Sequence, residues 1–163
     1  MRVKMTVPYN LADFFGSQVQ KETEQTVNGQ IEKALKALQI DVKVQASGRT
    51  DRGVHATRQV IHFALPPFWS DLVKLKESLR RTLPNSITIR RLEKADDDFH
   101  ARYSAKKRAY RYIISTHTPN PFLADLITYV DELTVEKINE AITLFEGEHN
   151  FEQFKKSVSD TEN

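Results

Sequence analysis

The chain has 163 residues, 39% hydrophobic and 28% charged, which fits one ordinary globular domain, or a small domain with part of another. It has no cysteine, which excludes disulfides, thiolate catalysis and cysteine-ligated zinc, and its formal net charge of +2 selects no partner by itself. The opening "MRVKMTVPYN" lacks the apolar core of a signal peptide and no run reaches membrane-spanning length, so a cytoplasmic protein without membrane contact is expected.

Val3, Met5 and Val7 alternate and predict a strand over residues 2–7. Thr26 is a candidate N-cap for a helix carrying Val27, Ile31, Leu35 and Leu38 on one stripe. "VKVQA" (42–46) alternates again and runs into the loop "ASGRTDRGVHA" (46–56), and "QVIHFAL" (59–65) follows as a β-rich segment. Ser70 is the expected cap of a second helix bearing Leu72, Leu75 and Leu79, stopped by Pro84. "SITIRRL" (86–92) predicts a strand with Ile87 and Ile89 on one face.

The order is β-α-β-β-α-β, which predicts an α+β, ferredoxin-like domain over residues 1–97 with an antiparallel sheet backed by two helices. A second unit of similar kind is expected to start at residue 98 and to be incomplete at residue 163. Its first strand is "AYRYIIS" (109–115), with Tyr110, Tyr112 and Ile114 on one face and Arg111 on the other. The Pro-containing "THTPNPF" follows, and Thr134 opens a helix with Val135, Ile138, Ile142 and Phe145 along its stripe.

Charge is unevenly spread. Residues 102–111 hold Arg102, Lys106, Lys107, Arg108 and Arg111 with no acid, whereas residues 131–163 hold nine acids against three bases. A basic stripe interleaved with tyrosines suits a polyanion and could follow an RNA backbone, although such a run is otherwise a solvated face. The loop at 46–56 sets Arg49, Asp51, Arg52 and His55 around the turn-forming Gly48 and Gly53. On local composition it reads as a solvated turn in which Asp51 caps its own backbone. A metal held by Asp51, His55, His62 and His100 would need close ligand spacing that these histidines lack, so no metal is expected.

"GRTDRGVHA", then "QVIHF", then "DDFHARYSAKKRAYRYII" is similar, in content and in order, to the tRNA pseudouridine synthase A family. "PYNLADFFGSQVQ", "TVNGQIEKAL" and "GEHNFEQF" extend the resemblance over essentially the whole chain. Two features depart from the family. Its usual Tyr-Asp-Gly near the start reads Tyr9-Asn10-Leu11 here, and its members continue considerably further, so the chain is expected to be an N-terminal fragment.

The resemblance implies an isomerase that converts uridine to pseudouridine in the anticodon stem-loop of tRNA, at tRNA positions 38 to 40, without cofactor or metal. It also implies two ferredoxin-like domains whose sheets meet over a basic cleft, commonly as a homodimer. Asp51 takes the position of the catalytic carboxylate, where it can attack C1′, add to the base or remove a sugar proton. Arg49 is expected to favour the charged carboxylate and to hold or help flip the target nucleotide, while Arg52 is expected to be solvated. Tyr110 is placed beside the substrate by the same resemblance, and His55 orients the loop or contacts RNA. Arg102, Lys106, Lys107 and Arg108 are the candidate phosphate contacts. The alternative is a non-catalytic RNA-binding module, an inactive fragment of such an enzyme.

Overall fold

The computed structural model describes residues 1–118 and 120–154; the last nine residues of the expected second domain lie outside the described residues. The chain divides into two compact units, residues 1–111 and 112–163.

In the first unit the elements run β1 (Arg2–Tyr9), α1 (Val27–Ala37), β2 (Gln45–Ala46), β3 (Ala56–Ala64), α2 (Leu72–Thr82) and β4 (Arg91–Lys94). The strands form one antiparallel sheet in the order β2-β3-β1-β4. This is a mixed α+β architecture. Val3, Met5, Val7 and Tyr9 are buried while the residues between them are not, the alternation expected of a strand with one face on a core. Ile31, Ala34 and Leu35 of α1 and Leu75 and Leu79 of α2 join that same core, so both helices cover one face of the sheet.

Local chemistry sets the ends of these elements. Thr26 caps α1 as expected, its hydroxyl accepting from the Gly29 amide at 3.1 Å. The cap of α2 is Asp71, not Ser70: its Oδ1 accepts from the amides of Val73 and Lys74, both at 2.9 Å. An acceptor bearing full charge at the positive end of the helix outcompetes the neighbouring hydroxyl.

Two strands differ from expectation. β2 keeps only residues 45–46, because the Val44 amide donates to Glu32 Oε1 at 3.1 Å on α1 instead of to a neighbouring strand. β4 begins at Arg91, later than residue 86. Ile87 forms an isolated bridge to Tyr9, and Thr88 and Arg90 donate to the carbonyls of Pro8 and Thr6. Pro8 has no N–H to return, which interrupts the ladder with this segment, and the β1–β3 register also shifts between Val7 and Tyr9.

The first unit extends past the expected boundary at residue 97. Arg2 donates to the Phe99 carbonyl at 2.7 Å, the Ala101 amide donates to His62 Nδ1 at 3.1 Å, and Ala101 is buried. His62 pairs with Lys4 in the sheet register, on the face turned away from the helices, so residues 99–101 cover that face locally.

The second unit holds β5 (Ile114–Ser115), β6 (Thr128–Tyr129) and α3 (Val135–Thr143). β5 and β6 pair in parallel, and Thr134 caps α3 as expected. No residue of α3 is buried. The strand expected over residues 109–115 shrinks to its last two residues. The Ile113 carbonyl still accepts from the Thr128 amide at 2.9 Å, but residues 109–112 have no backbone pairing among the described residues, and an unpaired segment has no ladder to hold it extended.

Gly29 reports on how tightly the 10–26 segment is tied to α1. A Cβ there would overlap the Glu24 carbonyl oxygen and lie 2.9 Å from Thr26 Oγ1. Gly29→Ala should therefore cost about 1–3 kcal/mol in urea unfolding, although alanine is the better helix former.

Candidate active site

The loop between β2 and β3 is held from three sides. Ser47 continues the ladder, its amide donating to the Val60 carbonyl at 2.8 Å. Gln59 on β3 then uses both ends of its amide: Nε2 donates to the Gly48 carbonyl at 2.6 Å, and Oε1 accepts from Ser47 Oγ at 2.8 Å. Thr50 is clasped by the buried Ser17. Its amide donates to Ser17 Oγ at 2.7 Å, and its carbonyl accepts from the Ser17 amide at 3.0 Å and hydroxyl at 3.2 Å.

The Thr50 hydroxyl also meets the Tyr9 phenol at 2.7 Å. Burial pushes the Tyr9 phenol up, against the opposing hydrogen bonds from Thr50 and Gln59, so it stays neutral at physiological pH. On the far side of the turn, His55 Nδ1 accepts from the Leu11 amide at 3.1 Å, which assigns the ring proton of neutral His55 to Nε2. Leu11 is fully buried, so the departure at Tyr9-Asn10-Leu11 supplies a core residue whose backbone grips the loop.

Between these anchors the chain turns: the Val54 amide donates to the Asp51 carbonyl at 3.0 Å, and Gly53 takes φ +84°. Only glycine adopts that angle without steric cost. Asp51 lies exposed at this turn, and its carboxylate has no hydrogen bond or ion pair among the described residues. Arg49 is exposed too and forms no ion pair with Asp51, so the expected internal partnership is absent. Their backbones are pinned while their charged ends reach solvent. Arg52 is not simply solvated: its guanidinium stacks over the Phe15 ring, 5.2 Å from the centroid.

The basic run lies beside this loop. Arg108 donates from one nitrogen to the Ser47 carbonyl at 2.8 Å and to the Arg102 carbonyl at 3.2 Å, binding the two segments together. Arg102, Lys106 and Lys107 are exposed, and the Arg102 guanidinium lies 5.8 Å from the Tyr103 ring centroid. Tyr110 is 78% exposed and makes no hydrogen bond or ring contact among the described residues, so no contact joins it to Asp51. No group of three or more His, Asp or Glu side chains is placed to hold a metal ion among the described residues.

Ser17, Thr50, Gln59 and Tyr9 hold the loop and escape a reading of the sequence. Ser17 sits in an irregular segment with no periodic signal, and Gln59 reads only as one position of a strand. Arg108 reads as a phosphate contact, and the geometry adds a structural task to it.

His62 anchors the basic segment from below, through its bond from the Ala101 amide. Burial first, then the charges of His100 and Arg2, hold its imidazole below the ordinary value of 6.5. The unfolded chain therefore takes up this proton more readily than the folded one. Stability should be unaffected by this group above about pH 7, fall as pH drops through 6.5, and level off below the lowered folded value. Urea titrations across that window should show the decline, and His62→Gln, whose carbonyl can still accept from Ala101, should flatten it.

The family model described as tRNA pseudouridine synthase matches residues 12–104. Similar curated proteins, each described as tRNA pseudouridine synthase A, come from several bacteria. The Wolinella succinogenes protein is 42% identical over 151 residues, covering 93% of this chain and 59% of its own length. The Oceanobacillus iheyensis protein is 40% identical over 162 residues, covering 97% and 63%. A Helicobacter pylori protein is 40% identical over 160 residues, covering 98% and 64%. The chain thus spans between 59% and 64% of the length of these relatives.

Proposed function

The chain belongs to the tRNA pseudouridine synthase family, and from that premise we propose that it isomerises uridine to pseudouridine in tRNA with Asp51 as the catalytic carboxylate. One observation carries this reading: Asp51 presents an exposed carboxylate, without a protein partner among the described residues, on a turn whose flanks are clamped by Ser17 and His55. A carboxylate kept free of its neighbouring arginine is available to a ribose or a base. A fixed backbone limits the orientation entropy lost on reaching it.

The reaction breaks the C1′–N1 bond, turns the uracil and forms C1′–C5; the C5 proton leaves and N1 takes one up. Atoms and electrons balance without oxidant, reductant or cofactor. A uridine in a stem-loop must leave its stack first, and Arg49, exposed two residues before Asp51, is suited to hold it once extruded. Tyr110, with an exposed ring, is assigned to stack on the displaced base. Arg102, Lys106 and Lys107 would follow the phosphates, with Arg108 joining that surface to the loop and His55 setting the loop's pitch.

The finer assignments belong to the same proposal. The substrate site is the anticodon stem-loop, at tRNA positions 38 to 40, and the full-length form works as a cytoplasmic homodimer. An antiparallel β2-β3-β1-β4 order with two helices on one face supports a ferredoxin-like first domain, followed by the start of a second. The second reading is RNA binding without turnover. The missing contact between Tyr110 and Asp51 among the described residues favours it, because a reaction needs its groups held together around one base.

Unmodified tRNA, carbodiimide-blocked primer extension and Asp51→Ala separate the two. The wild-type chain should produce pseudouridine in the anticodon arm. The variant should lose roughly 10⁴-fold in rate without losing tRNA affinity. A variant as active as wild type would remove Asp51 from catalysis, and tight binding without product from either protein would establish the binding-only reading.

A further inference from the structure

A second basic surface lies elsewhere in the first unit. A groove of about 360 Å³ runs between α2 and the chain entering β4, lined by Lys76 and Arg80 on one side and Arg90 and Arg91 on the other. Glu77 is the one acid in its lining. Among the described residues Arg80 and Arg90 have no carboxylate partner. Arg91 reaches only Glu93, at 3.9 Å, and that carboxylate is already bound to Lys4 at 2.7 Å. Lys76 spends one donor on the Arg90 carbonyl at 3.1 Å, and an ammonium carries three.

Four cations facing one acid in a concavity repel one another, and the low-dielectric walls concentrate their field. Arg80 also sits in the last turn of α2, where a cation complements the helix dipole, but that accounts for neither Arg90 nor Arg91. Three of the four are arginines, whose planar forks match phosphate oxygens two at a time. β4 forms the sheet edge opposite β2, so this groove and the segment anchored beside the Asp51 loop are separate surfaces.

We propose that the α2–β4 groove binds the sugar–phosphate backbone of the same RNA that the Asp51 loop engages. The inference rests on the proposed function for its partner. It adds a contact that positions the tRNA and reads no base.

The test compares binding of an unmodified tRNA transcript by the full wild-type chain, by R80Q/R90Q/R91Q and by R80K/R90K/R91K over a range of potassium chloride. Each lost phosphate contact lowers the slope of log affinity against log salt by about 1. The glutamine variant should therefore lose about 2–3 from that slope and bind more weakly at low salt, while the lysine variant keeps the slope. Circular dichroism should show both variants folded, since all three arginines are exposed. A wild-type slope in the glutamine variant would overturn the groove and leave the proposed function standing. No tRNA binding by the wild-type chain would instead overturn the proposed function and the groove with it. Vesicles containing phosphatidylserine form the last arm: capture by wild type but not by the glutamine variant, with the tRNA slope unchanged, would assign the groove to a membrane surface and overturn the proposal.

Discussion

The clasp between Ser17 and Thr50 fixes where the Asp51 carboxylate emerges from the sheet. Its three hydrogen bonds run between a buried serine and a loop residue 33 positions later in the chain. A buried hydroxyl that both donates and accepts has little freedom to rotate, and losing either bond would strand a polar group away from water. Tyr9 and Gln59 reinforce the same point from β1 and β3, and the Leu11–His55 bond closes the other flank. The charged tip is thus mounted on a loop tied to the fold on both flanks, the arrangement a reactive group on a loop requires.

Charge around this mount is arranged to leave the acid available. Arg52 packs on Phe15, Arg108 is occupied by two carbonyls, and Arg49 points its charge to solvent instead of closing on Asp51. A surface ion pair between Arg49 and Asp51 would add little stability. Leaving it open keeps both groups for a bound nucleotide, in accordance with the proposed function. The basic segment from Arg102 to Arg108 belongs to the first unit, and Arg108 ties it to the loop through the Ser47 carbonyl.

Much of this was legible in the sequence wherever one local signal had no competitor. The alternation of Val3, Met5 and Val7 predicted β1, Thr26 and Thr134 predicted their helix starts, and the loop motif brought out Asp51. Other positions depended on a competitor only the fold reveals. Asp71 beat Ser70 because an ionised acceptor sits one residue closer to the helix. Pro8 displaced β4 by denying it a donor, although nothing within residues 86–92 signals the loss. Glu32 took the Val44 amide from β2 across twelve residues. The alternation in "AYRYIIS" is real, but a strand also needs a neighbour, and residues 109–112 have none among the described residues. Ser17 could not be read at all, since its importance lies in one long-range pairing and not in any pattern.

The central claim is that this loop performs chemistry on a uridine. The most direct measurement uses tRNA transcript carrying tritium at C5 of its uridines, incubated with the full chain without added metal or cofactor. Moving the glycosidic bond from N1 to C5 must expel the C5 hydrogen, so the account predicts time-dependent tritium release into water that continues over repeated turnovers. Saturable tRNA binding with the tritium wholly retained would contradict it.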